Sequence, residues 1–180
     1  DPDGMLAAAV ERVARRQGIM VIPSFSVGRA QEILYRLRGL EEAGRIPRLP
    51  VYLDSPMAID ATELYRRHHE EHDFEMDALE DAGKAPLRPA HLRMTRTVED
   101  SKRLNDLDPP AIILSASGMA TGGRVMHHLK RRLPFRQNLV AFVGYQAEGT
   151  LGRSLVEGAK TVHIHGDAID VRAEAVMLDA

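Results

Sequence analysis

The stretch that most constrains the fold of this chain is residues 111–123, with the sequence AIILSASGMATGG. Its short apolar run is typical of a β-strand buried on both faces. Small residues and glycines follow, and Val125, Leu129 and Leu133 then recur at four-residue spacing, which predicts a helix over 124–133. A strand that passes into a helix through a glycine-rich loop is the repeating unit of a parallel α/β fold, and such folds bind ligands at these loops.

The same unit recurs along the chain. Strands are predicted over 19–22, 51–53, 92–95, 112–114 and 139–143. Helices are predicted over 4–17, 30–43, 58–69, 98–107, 124–133 and 151–157. The charged stretch 70–89 has no clear period and predicts short helices in a surface excursion.

The last two apolar segments, 161–165 and 170–177, are predicted to face each other as a hairpin across Gly166 and Asp167. The fold class is therefore α/β: a doubly wound, mostly parallel sheet flanked by helices, with a C-terminal β-hairpin.

Length and composition narrow the functional classes. A chain of 180 residues can bury the core of one domain, and its net charge of −2 gives no global basic field, so any nucleic-acid contact must come from a local patch. The absence of cysteine excludes disulfides and thiolate zinc sites.

With no apolar run near membrane-spanning length and no signal peptide, we expect a cytoplasmic protein without a membrane partner. Because it starts at Asp1 without methionine, we expect a piece of a longer protein.

One histidine pattern resembles part of a metallo-hydrolase zinc motif. His163, His165 and Asp167 give H-x-H-x-D, but Ala168 stands where that motif has its next histidine, and the run falls in the predicted hairpin. A zinc site needs three or more ligands, so we expect no metal there.

The other histidine clusters are also read as structural. His68, His69 and His72 lie among charged residues at the end of a predicted helix, which favours a solvated surface. His127 and His128 lie on the helix after the glycine-rich loop, where one must face outward, and the sequence shows no neighbouring carboxylate or third ligand.

What the predicted fold brings together is a set of polar and small residues at four strand ends. Hydroxyls, free backbone N–H groups and one arginine along one sheet edge suit a phosphodiester backbone, although tight turns also select glycine and serine. The loops contain neither a nucleotide P-loop nor G-x-G-x-x-G, and Ser115 and Ser117 lack the G-x-S-x-G context of a nucleophile. The candidate phosphate-binding residues are Ser24, Ser26, Gly28, Arg29, Asp54, Ser55, Ser115, Ser117, Gly118, Gly144, Tyr145, Gln146, Gly149 and Thr150.

These loops resemble a known family. The segments PSFSVGRAQE (23–32), LDSPMA (53–58), SASGM (115–119) and GYQAEGTLG (144–152) are similar, in order, to the β-CASP region of metallo-β-lactamase-fold nucleases. That group includes the RNase J enzymes and the cleavage factor of mRNA 3′-end formation. The resemblance covers nearly the whole chain.

The resemblance implies a β-CASP domain inserted into a metallo-β-lactamase domain, with RNA in the cleft between them over two zinc ions. The family's metal ligands lie outside the matching segments. We therefore expect residues 1–160 to be the β-CASP domain and 161–180 to be strands that return toward the other domain. This chain alone is expected to hold no cofactor, to be catalytically inactive and to bind single-stranded RNA weakly.

Two further expectations follow. Without the metallo-β-lactamase domain, an apolar surface around 162–177 should be exposed and should promote self-association. The alternative function is a nucleotide- or sugar-phosphate-binding α/β domain, to which a parallel sheet with glycine-rich loops could equally belong.

Overall fold

A computed structural model describes residues 1–24, 28–67 and 88–178, with the backbone alone at 65 and 66. Its helices are α1 (Pro2–Arg16), α2 (Arg29–Glu42), α3 (Pro56–Arg67), α4 (Val98–Arg103), α5 (Val125–Arg132) and α6 (Leu151–Val156). Its strands are β1 (Ile19–Pro23), β2 (Val51–Asp54), β3 (Leu92–Met94), β4 (Ala111–Ser115), β5 (Leu139–Val143), β6 (Thr161–Ile164), β7 (Asp167–Asp170) and β8 (Glu174–Leu178). The five strands predicted before residue 150 are confirmed to within one residue at each end.

Six strands form one sheet in the order β3-β2-β4-β1-β5-β8, and every neighbouring pair in it is parallel. The separate pair β6-β7 is an antiparallel hairpin. The predicted α/β class, with a parallel sheet flanked by helices and a C-terminal hairpin, is therefore confirmed. Every residue of β1, β4 and β5 is buried, which agrees with the nearly continuous apolar runs of these three strands.

The helices cover both faces of the sheet. One core contains the buried faces of α1, α2 and α3 with alternate strand residues such as Met20 and Leu114. The other core contains α5, α6 and the hairpin with the intervening strand residues, such as Val21 and Ile113. The chain therefore leaves β1 toward one face and leaves β4, its neighbour in the sheet, toward the other.

The predicted partner strand of the hairpin was wrong. Thr161–Ile164 pairs with Asp167–Asp170, and Glu174–Leu178 instead extends the main sheet by pairing in parallel with β5. The alternating pattern that predicted one strand over 170–177 spans the end of β7 and most of β8. Glu174–Leu178 and the preceding hairpin therefore belong to different sheets, which local periodicity alone does not distinguish.

The expectation of an exposed apolar surface around 162–177 is wrong for the hairpin part of that segment. Val171, Ala175, Val176 and Met177, on and before the edge strand β8, stay partly exposed, so the predicted self-association stays a prediction. Val162, Ile164 and Ile169 are between 1% and 9% exposed, because the hairpin packs its apolar side onto the core with α5 and α6. The hairpin therefore offers no apolar face for self-association.

Some predictions fall on residues that are not described. Ser26, the histidines 68, 69 and 72, and the excursion up to residue 87 all lie outside the described ranges. Among the helices of the described ranges, none combines the length and the apolar character needed to cross a membrane.

Candidate functional site

The four loops singled out by sequence come from adjacent strands. β2, β4, β1 and β5 lie side by side, so their carboxyl ends form one uninterrupted edge. Ser24 N donates to Ser115 O at 3.0 Å, and Ser115 Oγ donates to Asp54 O at 3.0 Å, which links three of these strand ends directly. The loops after β1 and β4 leave toward opposite faces of the sheet, and the crevice at such a point is where open α/β sheets bind ligands.

Six of the fourteen candidate residues are buried at this edge, and they are Ser24, Asp54, Ser55, Ser115, Gly118 and Gln146. Most of their polar groups bind within the chain, whereas Gln146 Oε1 is buried without a hydrogen-bond partner among the described residues. Ser55 Oγ accepts from Ala58 N at 3.3 Å at the start of α3, and Gln146 Nε2 donates to Gly118 O at 3.1 Å. These residues shape the edge and present no free side chain to solvent.

The remaining described candidates reach solvent, and they are Gly28, Arg29, Ser117, Gly144, Tyr145, Gly149 and Thr150. A Cβ built on Gly144 would lie 3.9 Å from the guanidinium of Arg29, so the loops after β1 and β5 meet there. Tyr145 is 71% exposed beside this contact. The Arg29 side chain is 37% exposed, and its Nη1 donates to Glu32 Oε2 at 2.9 Å.

Glycine is required at two places in these loops for packing. Gly123 has φ +78°, and a Cβ there would lie 2.6 Å from the carbonyl oxygen of Ala116. A Cβ on Gly152 would lie 2.9 Å from the carbonyl oxygen of Met119, which accepts from Gly152 N at 3.0 Å. The glycine-rich loop after β4 is therefore held against its own stem and against α6.

Beneath the edge lies a polar network that sequence reasoning missed, centred on the fully buried Asp54. Its Oδ1 accepts from Thr95 Oγ1 at 2.9 Å and from Arg124 Nη1 at 3.0 Å. Its Oδ2 accepts from Ser101 Oγ at 2.5 Å and lies 2.6 Å from His128 Nε2. Four donors on one carboxylate join the end of β2 to the loop after β3, to α4 and to α5.

His127 extends this network toward the surface. Its Nε2 lies 2.7 Å from Ser101 Oγ, and its Nδ1 lies 3.3 Å from Asn105 Oδ1. Because the Ser101 hydroxyl donates its single proton to Asp54, the imidazole must donate Nε2–H to Ser101. This tautomer leaves Nδ1 as an acceptor, so the Asn105 amide must present its NH₂ to the ring.

The network shifts two pKa values. Burial acts to raise the pKa of Asp54, but hydrogen bonds from His128, Ser101 and Thr95 and the charge of His128 outweigh it and lower this pKa to about 2. Burial lowers the pKa of His127 to about 4, with help from electrostatic interactions with His128, Arg124 and His165 and against the attraction of Asp54. Asp54 is therefore a carboxylate and His127 a neutral imidazole at pH 7.

Asp54, His127 and His128 also form a possible metal cluster, with one ligand atom from each within 4.8 Å of the others. The sequence-based statement that the His127–His128 pair lacks a carboxylate neighbour was therefore wrong. The arrangement nevertheless does not fit a divalent ion. Both carboxylate oxygens already accept two hydrogen bonds, one of them from the Arg124 guanidinium, which would repel a second cation at this position. We assign the cluster to ordering the edge.

The fold and its loop-lined edge define an α/β domain of the doubly wound class, and residues 30–155 match the model of the Beta-Casp domain. The match spans well over half of the chain. The chain belongs to the β-CASP domain family.

Relatives from bacteria and archaea agree with this assignment. The chain is 42% identical over 164 residues to the ribonuclease TTHA0252 of Thermus thermophilus, covering 91% of this chain and 38% of that protein. It is 35% identical over 167 residues to the transcription termination factor FttA of Methanosarcina mazei, covering 92% and 26%. It is 32% identical over 174 residues to an RNase J-like protein of Methanocaldococcus jannaschii, covering 97% and 39%. The chain thus spans between about a quarter and two fifths of the length of these relatives.

Proposed function

We propose that this chain is the RNA-clamping domain of a zinc-dependent ribonuclease of the metallo-β-lactamase fold, the parent protein hydrolysing RNA phosphodiester bonds. The relatives named as ribonucleases and the Beta-Casp match support the substrate class. The chain alone supplies substrate contacts and no catalytic group.

The observation that carries the proposal is the convergence at the carboxyl edge of the sheet. Four adjacent strands end there, and the Arg29 guanidinium lies against Gly144 with the exposed Tyr145 beside it. A cation next to an exposed loop suits a phosphate, and an exposed tyrosine offers a stacking face for an unpaired base.

Exposure and internal hydrogen bonding divide the roles among the candidate residues. Arg29 and Tyr145, with the backbone of Gly144 and Gly149, are assigned to RNA contact because they reach solvent. The hydroxyls of Ser117 and Thr150 and the N–H of Gly28 are assigned to holding the loops, because each already forms a hydrogen bond within the chain. The buried candidates are assigned to holding these loops in place. Their internal hydrogen bonds would have to break before they could touch RNA, which makes direct contact unfavourable.

The parent's zinc ions are assigned to residues outside this chain, since the Asp54 cluster does not suit a divalent ion. Pro2 and Leu6 line the same small cavity as Val143 and Leu178, so the two ends of the described chain lie side by side at the carboxyl edge. That geometry suits a domain inserted into another and supports the proposal that the segment after residue 160 leads toward a metallo-β-lactamase domain.

The test is a titration of single-stranded RNA against wild type and Arg29→Ala at several salt concentrations. Loss of one phosphate contact should weaken binding for all sequences alike and flatten the slope of log K against log salt by about 0.7. The substitution leaves Glu32 paired with Arg36 at 2.7 Å, so little structural damage is expected. Arg103→Ala is the matched control, because it removes the same charge from a side chain that is 77% exposed on α4.

Equal weakening by both substitutions would overturn the assignment of Arg29. If a mononucleotide displaces the bound RNA at the same concentration as unlabelled RNA does, that result would instead support the nucleotide-binding alternative. A lower melting temperature of Arg29→Ala with an unchanged salt slope would make Arg29 structural.

A further inference from the structure

A second basic surface lies at the opposite edge of the sheet. A groove of about 670 Å³ is lined by Arg16, Arg136, Gln137, Arg172 and Glu174. Each of these residues begins a strand or lies two or three residues before one, so the groove runs along the amino ends of β1, β5 and β8, which are neighbours in the sheet. A five-residue strand spans roughly 16 Å, which separates this groove from the carboxyl edge.

The groove carries excess positive charge. Glu174 is its one carboxylate, and it pairs with Arg16 at 2.8 Å and with Arg12 at 3.3 Å. Arg136 and Arg172 are exposed, and neither forms an ion pair with any residue in the described ranges. The three guanidinium groups that line the groove, against one carboxylate, leave two positive charges, and Arg136 and Arg172 are free to bind an anion.

The floor of the groove is rigid. A Cβ on Gly18 would lie 1.8 Å from the Gln137 carbonyl oxygen, so the turn before β1 packs directly on the segment before β5. The buried Asn138 accepts from Ile19 N at 2.8 Å through Oδ1, and its backbone oxygen accepts from Glu174 N at 3.3 Å. These bonds fix the starts of three strands, so the arginines project from a preorganised base.

An exposed aromatic residue is adjacent to one of the groove residues in the sequence. Phe135 is 42% exposed and directly precedes Arg136, and the Arg131 guanidinium lies 5.7 Å from its ring centroid. Proteins bind single-stranded nucleic acid without sequence preference through a basic groove combined with exposed aromatic rings, and Phe135 is the exposed aromatic residue next to Arg136 in the chain. An acidic peptide would use the arginines but would gain little from the ring.

We propose that this amino-edge groove is a second binding surface for single-stranded RNA, in which Arg136 and Arg172 contact backbone phosphates and Phe135 stacks on a base. It goes beyond the function proposed above, because it uses different residues on the opposite edge of the sheet. A strand that leaves the carboxyl edge could be retained here while other segments are processed.

The test uses a fluorescein-labelled oligouridylate of twelve nucleotides and fluorescence anisotropy between 20 and 200 mM salt. Arg136→Ala combined with Arg172→Ala should weaken binding by on the order of tenfold at low salt and reduce the salt slope by about 1.4. The matched control is Arg93→Ala combined with Arg103→Ala, which removes the same charge from exposed positions on β3 and α4. Phe135→Leu should weaken binding with no change in salt slope.

Several outcomes would overturn the groove proposal. They are equal binding by the groove variant and the control, no RNA binding by wild type at 20 mM salt, and displacement of RNA by polyglutamate as effectively as by unlabelled RNA at equal charge. Including Arg29→Ala keeps the two proposals distinguishable. If only Arg29→Ala weakens binding, the carboxyl-edge site is supported and the groove proposal is refuted. If only the combined Arg136→Ala and Arg172→Ala variant weakens binding, the groove is supported and the assignment of Arg29 is refuted.

Discussion

Acid should destabilise this domain through His127. The pKa of this side chain is lowered from 6.5 to about 4 in the folded chain, chiefly by burial. Between these two values the unfolded chain binds a proton that the folded chain does not, so the free energy of unfolding falls as the pH drops from 6.5 to 4. Asp54 contributes little over most of this window, because its lowered pKa reduces stability only as the pH approaches the unfolded value of 3.8.

The size of the loss in unfolding free energy follows from the pKa shift of His127 and from the exposure of its side chain. A displacement from 6.5 to about 4 in a fully buried group would correspond to about 3 kcal/mol. His127 is only half-buried, and solvent screening reduces the expected loss to roughly 1–2 kcal/mol. Because stability of a domain this size is about 5–15 kcal/mol, urea denaturation followed by circular dichroism should resolve it.

His127→Gln isolates the contribution of His127 protonation to the pH dependence of stability, since glutamine can donate to Ser101 and does not titrate. Between pH 7 and 4.5 its free energy of unfolding should fall by roughly 1–2 kcal/mol less than that of wild type. His163→Gln, at an exposed position on β6, is the control and should follow wild type. Identical pH dependence of wild type and His127→Gln would refute the reasoning.

Other substitutions probe the same edge. Asp54→Asn keeps the shape but leaves the Arg124 guanidinium without its buried carboxylate partner, so chemical denaturation should show a loss of about 3 kcal/mol or more. Gly152→Ala should cost about 1–3 kcal/mol in the same assay, because its Cβ would meet a backbone carbonyl at 2.9 Å. Gly39→Ala, where nothing lies within 4 Å on a helix, should instead stabilise by about 0.5–1 kcal/mol, and a loss there would contradict the packing account. Metal analysis after dialysis should find well under one zinc per chain, and a stoichiometric ion would show that the Asp54 cluster is a metal site after all.

The sheet could be predicted because its signals are local. Each strand such as Leu139–Val143 is a short apolar run, and each is bounded by glycine, proline or small polar residues within a few positions. The hairpin failed because residues 170–177 alternate as one strand would. The chain divides them between β7 and β8, and that division depends on pairing with β5, which lies 35 residues earlier.

The buried network and the amino-edge groove could not be read from sequence for a related reason. His128 is 74 residues from Asp54, and no local pattern brings the two side chains to 2.6 Å. Arg16, Arg136 and Arg172 meet only because β1, β5 and β8 are neighbours in the sheet. Sequence located the carboxyl-edge loops correctly, but it could not tell exposed residues from buried ones, since serine and glycine serve both binding and tight turns.

The central claim is that RNA lies on the carboxyl edge of the sheet. Crosslinking a 4-thiouridine oligonucleotide to the chain, followed by mass spectrometry of the digested protein, tests it most directly. We expect crosslinked peptides from the loop after β5, with Tyr145 as the modified residue, and loss of that crosslink in Arg29→Ala. Crosslinks confined to other surfaces, with none in residues 144–150, would contradict the assignment.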